Sequence, residues 1–304
     1  MEATAAQHGA ASLEVASVDE VGDRIASTGY VCDDELATVV FLAMRMQRPL
    51  LLEGEPGTGK TALAEALAES FDLPLVRLQC YEGIDASQAL YDWDFPRQIL
   101  HLRALEAVAG TTDVEEAEKS LFDERFLLAR PVLSALRQAP AVLLVDEVDR
   151  ADDEFEAFLL EVLSTYQVSI PEIGTVAAAT PPLVVLTSNR TRELHDALKR
   201  RCLYHWIEHP GLEREVRILR SRAPELSDQL AEQVVTVVQQ LRSDAGLLKP
   251  PGVAETIDWA KALHLLGSQE LDLAKAAATL GALVKYREDD ERVRKALDRM
   301  LAGQ

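Results

Sequence analysis

The sequence predicts an α/β fold: a five-stranded parallel sheet between two layers of helices, followed by a smaller all-helical domain. Three observations predict it. Five short apolar runs are separated by helical patterns up to residue 207. The runs are apolar at consecutive positions, as strands buried on both faces are. After His209-Pro210-Gly211 no strand is evident, and apolar residues recur only at helical spacing.

The first strand is Pro49 to Glu53 and the second Leu75 to Gln79. The third is Ala141 to Val145, the fourth Leu183 to Leu186, and the fifth Leu203 to Ile207. A helix from Thr61 to Phe71 carries Leu63, Leu67 and Phe71 on one face. Asp152 or Asp153 can cap a helix whose stripe is Phe155, Phe158, Leu159, Val162 and Leu163. Gln167 to Thr180 reads as a hairpin with Gly174 near its turn. Between the second and third strands, Asp85 to Gln138 holds an aromatic cluster (Tyr91, Trp93, Phe95) and an acidic patch from Asp113 to Glu118. The segment Tyr81 to Phe95 either faces a partner or packs on the sheet edge. Further on, Leu230, Val234, Val237, Val238 and Leu241 form a stripe opened by Ser227 or Asp228, and Pro250-Pro251-Gly252 breaks the chain. The expected division is a loose tail over 1–14, a core over 15–209 and a helical domain over 210–304, hinged at Pro210-Gly211.

The chemistry concentrates at strand ends. Gly54-Glu55-Pro56-Gly57-Thr58-Gly59-Lys60-Thr61 follows the first strand and opens a helix, the context a phosphate-binding P-loop requires. Glycines let backbone amides approach an anion, and the helix start adds its positive end. Lys60 offers a mobile charge to the β- and γ-phosphates of ATP, and Thr61 a hydroxyl to Mg²⁺. The third apolar run leads into Asp146-Glu147. Beside a P-loop, Asp146 reads as a second Mg²⁺ contact and Glu147 as the group that orients and deprotonates the attacking water. The fourth strand leads into Thr187-Ser188-Asn189. Asn189 is either a γ-phosphate or water contact or a turn former. Leu198-Lys199-Arg200-Arg201-Cys202 is either a solvated turn or the source of an arginine finger for a neighbouring subunit. Arg201 is the first candidate and Arg200 the second.

Composition removes other classes. Lys plus Arg number 31 against 51 Asp plus Glu, a net charge of −20, which argues against nucleic acid as a partner. The acidity reads as a solvated surface or a docking face for a basic partner. Cys32, Cys80 and Cys202 lie far apart, so neither a disulfide framework nor a zinc site is expected. His205 and His209 lack a third metal ligand. The first residues lack a signal-peptide pattern and no apolar run reaches membrane-span length, so a cytoplasmic location is expected.

In their order, these motifs resemble those of the AAA+ ATPases over about residues 30–270. The resemblance implies a P-loop core, a helical lid, and a ring, usually a hexamer, with ATP and Mg²⁺ at subunit interfaces. Asp146-Glu147-Val148-Asp149-Arg150-Ala151 is similar to the Asp-Glu-Ile-Asn-Arg-Ala of the MoxR family. Gln79-Cys80-Tyr81-Glu82-Gly83-Ile84-Asp85 and Tyr91-Asp92-Trp93-Asp94-Phe95-Pro96-Arg97-Gln98 resemble the CoxD-like subgroup. That likeness implies a chaperone working with a von Willebrand factor A domain partner. Its client would be a metalloenzyme resembling molybdenum- and copper-containing carbon monoxide dehydrogenase. A nucleic-acid motor or a weakly hydrolysing scaffold on the same fold are the alternatives. One departure is evident: where many such lids present an arginine, this chain has Glu255. Lys249 or a neighbour's Arg150 would then substitute, or nucleotide sensing by the lid is altered. Gly29-Tyr30-Val31 either flanks the adenine or is a buried pair.

Overall fold

The computed structural model describes residue 13 and residues 15–109, 120–244 and 246–301. The expected tail, apart from Leu13, and the acidic patch Asp113 to Glu118 lie outside the described residues.

The five expected strands form one sheet. They are β1 (Leu50–Glu53), β2 (Leu75–Gln79), β5 (Val142–Asp146), β8 (Leu183–Ser188) and β9 (Leu203–Trp206). Their spatial order is β2-β5-β8-β1-β9 and all pairs are parallel. Side chains along each strand alternate between the two faces. Leu51, Leu143, Val145, Val184 and Leu186 enter one core. Leu50, Leu52, Val142, Leu144, Leu183 and Val185 enter the other. This two-sided burial explains why the runs read as continuously apolar.

Helices α1 (Val18–Ser27), α2 (Asp34–Met46) and α3 (Lys60–Ser70) cover the second face. The first is covered by α6 (Pro131–Arg137), α7 (Asp153–Thr165) and α8 (Asp196–Arg201). These follow α4 (Ala86–Leu90) and α5 (Phe95–Ala109). Asp152 caps α7 by accepting from the Phe155 N–H at 2.9 Å. The expected hairpin is β6 (Gln167–Ile170) against β7 (Gly174–Ala177), with Gly174 at φ +100° where the turn ends. A second antiparallel pair, β3 (Tyr91–Trp93) with β4 (Leu127–Ala129), was not expected. It divides the aromatic segment. Tyr91 and Trp93 meet edge to face and pack against the first core, whereas Tyr81 and Phe95 are exposed.

Beyond β9 the described residues contain helices and no strand. They include α9 (Leu212–Arg222), α10 (Asp228–Asp244), α11 (Val253–Leu265), α12 (Leu273–Ala278), α13 (Leu280–Leu283) and α14 (Arg287–Leu301). Ser227 opens α10, its Oγ accepting from the Leu230 N–H at 3.1 Å. The stripe Leu230, Val234, Val237, Val238 and Leu241 is wholly buried and packs with Trp259 and Leu297 in a separate core. Polar groups brace this core. Arg242 forks onto the Glu215 carboxylate at 2.6 and 2.7 Å, and Thr256 Oγ1 donates to Glu215 Oε1 at 2.9 Å. Arg242 Nε also donates to the Pro251 carbonyl at 2.7 Å. One buried carboxylate thereby ties α9, α10 and α11 together. No described helix is long and apolar enough to cross a membrane.

Removing one partner of a buried ion pair leaves the other charge desolvated. Arg242→Met is therefore expected to destabilise the helical region by about 3–5 kcal/mol in urea unfolding. A loss below about 1 kcal/mol would contradict a bracing role.

Candidate functional site

The P-loop joins β1 to α3, and its conformation depends on glycine. Gly57 and Gly59 sit at φ +79° and +95°, where a side chain is strained. Gly59 is the N-cap of α3, so the first helical amides point back into the loop. Lys60 folds over the same loop. Its Nζ donates to the carbonyls of Gly54 and Glu55, both at 2.8 Å. Burial pulls its pKa below the ordinary lysine value, opposed by the charges of Asp149, Glu55, Asp146 and Glu147.

Asp146 ends β5, with its carboxylate buried. Its Oδ1 accepts from Thr61 Oγ1 at 3.1 Å and from Thr187 Oγ1 at 2.5 Å. Its Oδ2 meets Arg77 Nη2, also at 2.5 Å. Thr61 and Asp146 thus meet as a hydroxyl and a carboxylate, the donor set a Mg²⁺ ion with bound waters takes. Among the described residues no cluster of three or more His, Cys, Asp or Glu is placed to hold a metal. The pair His205 and His209 gains no third ligand.

Glu147 follows at φ +54°, a left-handed conformation that turns its carboxylate along the strand ends. The Glu147 N–H donates to Thr187 Oγ1 at 2.9 Å. Its side chain accepts from Asn189 Nδ2 and Gln79 Nε2, both at 3.2 Å, and forms an ion pair with Arg150 Nε at 2.9 Å. Buried Asp149 fixes the Asn189 turn by accepting from the amides of Asn189 (3.2 Å) and Thr191 (2.8 Å). Parallel pairing explains the meeting, because Gln79 lies in register with Asp146 and Glu53 with Ser188.

Lys60, Thr61, Arg77, Gln79, Asp146, Glu147, Thr187 and Asn189 open on one cavity of about 680 Å³. The P-loop from Pro56 to Thr61 forms its floor, with Asp146, Glu147 and Asn189 at one end. Glu55 is outside this lining, and Gly54 lies beneath, close to the Ile207 carbonyl. Gly29, Tyr30 and Val31 form another wall. Tyr30 is buried and lines the cavity, and Val31 beside it is half-buried. The helical region closes the roof with Ile218, Arg222, Val253, Ile257 and Lys261. Arg214 ties this roof to the opposite wall, donating to the Val31 carbonyl at 3.0 Å and pairing with Asp33.

Arg201 is elsewhere. Its guanidinium donates to Ser164 Oγ from Nε (3.1 Å) and Nη2 (2.7 Å), beside Arg200 in a separate depression. Arg48 donates to the carbonyls of Arg200, Arg201 and Cys202 and so fixes this helix end. Within one chain Arg201 does not reach the cavity. Glu255 is also explained locally: its carboxylate accepts from the Gly252 N–H at 3.0 Å and caps α11. Within one chain, neither Lys249 nor Arg150 lines the cavity. Arg150 pairs with Glu147 of its own chain. The cation that α11 presents to the cavity is Lys261.

Sequence reasoning missed Arg77, Gln79, Thr187 and Lys261. Arg77 and Gln79 carried a signal, since two polar residues at alternate positions of a strand point to one side. Thr187 is the one of the four that is buried. Thr187→Val would strip a hydroxyl donor from buried Asp146 and the acceptor from the Glu147 N–H. We expect a loss of about 1–3 kcal/mol in stability by urea unfolding. An unchanged midpoint would contradict the role given to this hydroxyl.

Residues 49–202, half of the chain, match the family described as AAA domain (dynein-related subfamily). An uncharacterized protein of Staphylococcus aureus (strain bovine RF122 / ET3-1) is 24% identical over 204 residues, spanning 65% of this chain and 70% of the relative. One from Staphylococcus saprophyticus is 24% identical over 228 residues, spanning 72% and 78%. Among solved structures, a mutant form of Thermotoga maritima RuvB aligns at 16% identity and TM-score 0.47, covering 97% of this chain and 81% of that one. The Thermotoga maritima RuvB Holliday junction branch migration motor aligns at 16% identity and TM-score 0.43, covering 86% and 68%. The strand-loop-helix that carries Lys60, the β5 carboxylates and the Asn189 turn all fall inside the matched segment, and the chain belongs to the AAA domain (dynein-related subfamily) family.

Proposed function

We propose that this protein binds ATP with Mg²⁺ and hydrolyses it, using the energy to remodel a client protein. The supporting observation is the convergence of Lys60, Thr61, Asp146, Glu147 and Asn189 on one cavity at the strand ends. In this reading the amides from Gly57 to Thr61 cradle the phosphates, with Gly54, Glu55 and Pro56 shaping the approach. Lys60 leaves the loop carbonyls for the β- and γ-phosphates. Thr61 and Asp146 hold Mg²⁺, which supplies positive charge at the phosphate oxygens. Glu147 orients a water for in-line attack and takes its proton, while Asn189 holds the Glu147 carboxylate in place.

Arg201, on the surface with Arg200, would reach the nucleotide of a neighbouring copy. Contacts of that head-to-tail kind close into a ring, here read as a hexamer. The division into a core over 15–209 and a lid over 210–304 belongs to the same proposal. So do a cytoplasmic location and the MoxR-type role beside a von Willebrand factor A domain protein, maturing a metalloenzyme. The Asp146-to-Ala151 segment supports that finer reading.

One observation favours a second reading, a nucleotide-dependent scaffold with slow turnover. Glu147 is engaged by three partners, hydrogen-bonded by Asn189 and Gln79 and ion-paired with Arg150, and a base so engaged must be released before it can accept a proton. Steady-state phosphate release from the purified protein separates the two. Glu147→Gln is expected to keep ATP bound while turnover falls about 10²–10⁴-fold. Unchanged turnover would remove Glu147 as the base. Activity per chain that rises with protein concentration supports a shared site, and activity independent of assembly contradicts Arg201 acting across an interface.

A further inference from the structure

The lid helix α11 starts directly on the P-loop. The Val253 N–H donates to the Gly57 carbonyl at 3.0 Å. The two backbones touch with no room for a side chain between them. A Cβ on Gly252 would lie 2.9 Å from both Gly57 Cα and the Pro56 carbonyl oxygen. One on Gly57 would lie 3.1 Å from Gly252 Cα.

The lid side of this contact is held firmly. The Gly252 N–H is bonded to Glu255 and the Gly252 carbonyl to Thr256. Thr256 is bonded in turn to Glu215, the carboxylate that braces three helices through Arg242. A movement of the P-loop backbone at Gly57 is therefore passed to a rigid body rather than absorbed by a loose loop.

The P-loop side is one peptide unit. The Gly57 carbonyl and the Thr58 N–H belong to the same planar trans peptide and point in opposite directions. While the carbonyl is bonded to Val253, the N–H faces away from that helix end. Thr58 lines the cavity, and its N–H has no hydrogen-bond partner among the described residues.

We propose that this peptide couples the lid to the nucleotide, with Gly252 and Val253 as positioning residues. The bond from Val253 holds the Gly57–Thr58 peptide in the orientation that presents the Thr58 amide to a phosphate oxygen. Phosphate bound to that amide in turn fixes the carbonyl toward Val253 and holds the lid down. The coupling is reciprocal, as any linkage between two binding events is. The lid thus reads the nucleotide through the loop's backbone, which removes the need for an arginine at Glu255. This inference rests on the ATP-binding reading above.

Val253 is the first residue of α11, a position where proline is well tolerated because its N–H bonds nothing within the helix. Gly252, at φ −80° and ψ −179°, already has the extended conformation that precedes proline. Val253→Pro deletes the donor and puts Cδ where the amide hydrogen was, and Val253→Ala trims the side chain but keeps the N–H. The full chain is titrated with ATP and Mg²⁺ by calorimetry, and hydrogen exchange of residues 253–265 is followed with and without ATP. Val253→Pro is expected to bind ATP about tenfold more weakly than Val253→Ala, and to lose the ATP-induced protection of α11 that Val253→Ala retains. Gly252→Ala, which keeps the N–H but adds a Cβ against the loop, should shift both readouts the same way. It stands in if the proline variant fails to fold. Equal ATP affinity and protection in Val253→Pro and Val253→Ala, or in Gly252→Ala and wild type, would overturn the coupling while leaving ATP binding intact. No ATP binding by the wild-type chain would overturn both readings.

Discussion

The Asp146 carboxylate sits at the end of a strand buried along its whole length, and its environment organises the rest of the site. A lone carboxylate there would be costly, so it must be matched by donors from other elements. Thr61 comes from α3, Thr187 from β8 and Arg77 from β2. Satisfying this one group therefore draws together the P-loop helix and both neighbours of β5. The same Thr187 hydroxyl accepts from the Glu147 amide, so Glu147 is placed by the residue that satisfies Asp146.

A second constraint links this polar junction to the helical region. The P-loop leaves β1 between β8 and β9 and is roofed by α9 and α11. The buried Glu215–Arg242 pair makes that roof one body. Backbone contact at Gly57 and Gly252 then lets a change in the loop register as a displacement of the whole body. The arrangement suits a protein whose lid must report on a phosphate without a long cationic side chain at its nearest helix end.

Much of the fold was legible because its signals are local. Each of the five strands is a run buried on both faces, and α7 and α10 each declare a stripe and a cap. The P-loop, Asp146, Glu147 and Asn189 were legible for the same reason, since each is a polar group at the end of an apolar run. What was not legible depends on lateral position. Gln79 reaches Glu147 only because β2 pairs with β5 in that register. The β3–β4 pair joins segments separated by α5. Lys261 and Gly252 meet the site only through the packing of three helices, which no local pattern encodes. Glu255 drew attention as a charge in an unusual place, and its role as the cap of its own helix appears only once the Gly252 amide is located.

This junction is proposed to be a nucleotide phosphate site centred on Lys60. Calorimetric titration of the full chain and of Lys60→Ala with ATP and Mg²⁺ tests it most directly. One site per chain is predicted, weakened about tenfold to a hundredfold in the variant by loss of its charged hydrogen bonds. Equal affinity in the two proteins would contradict it.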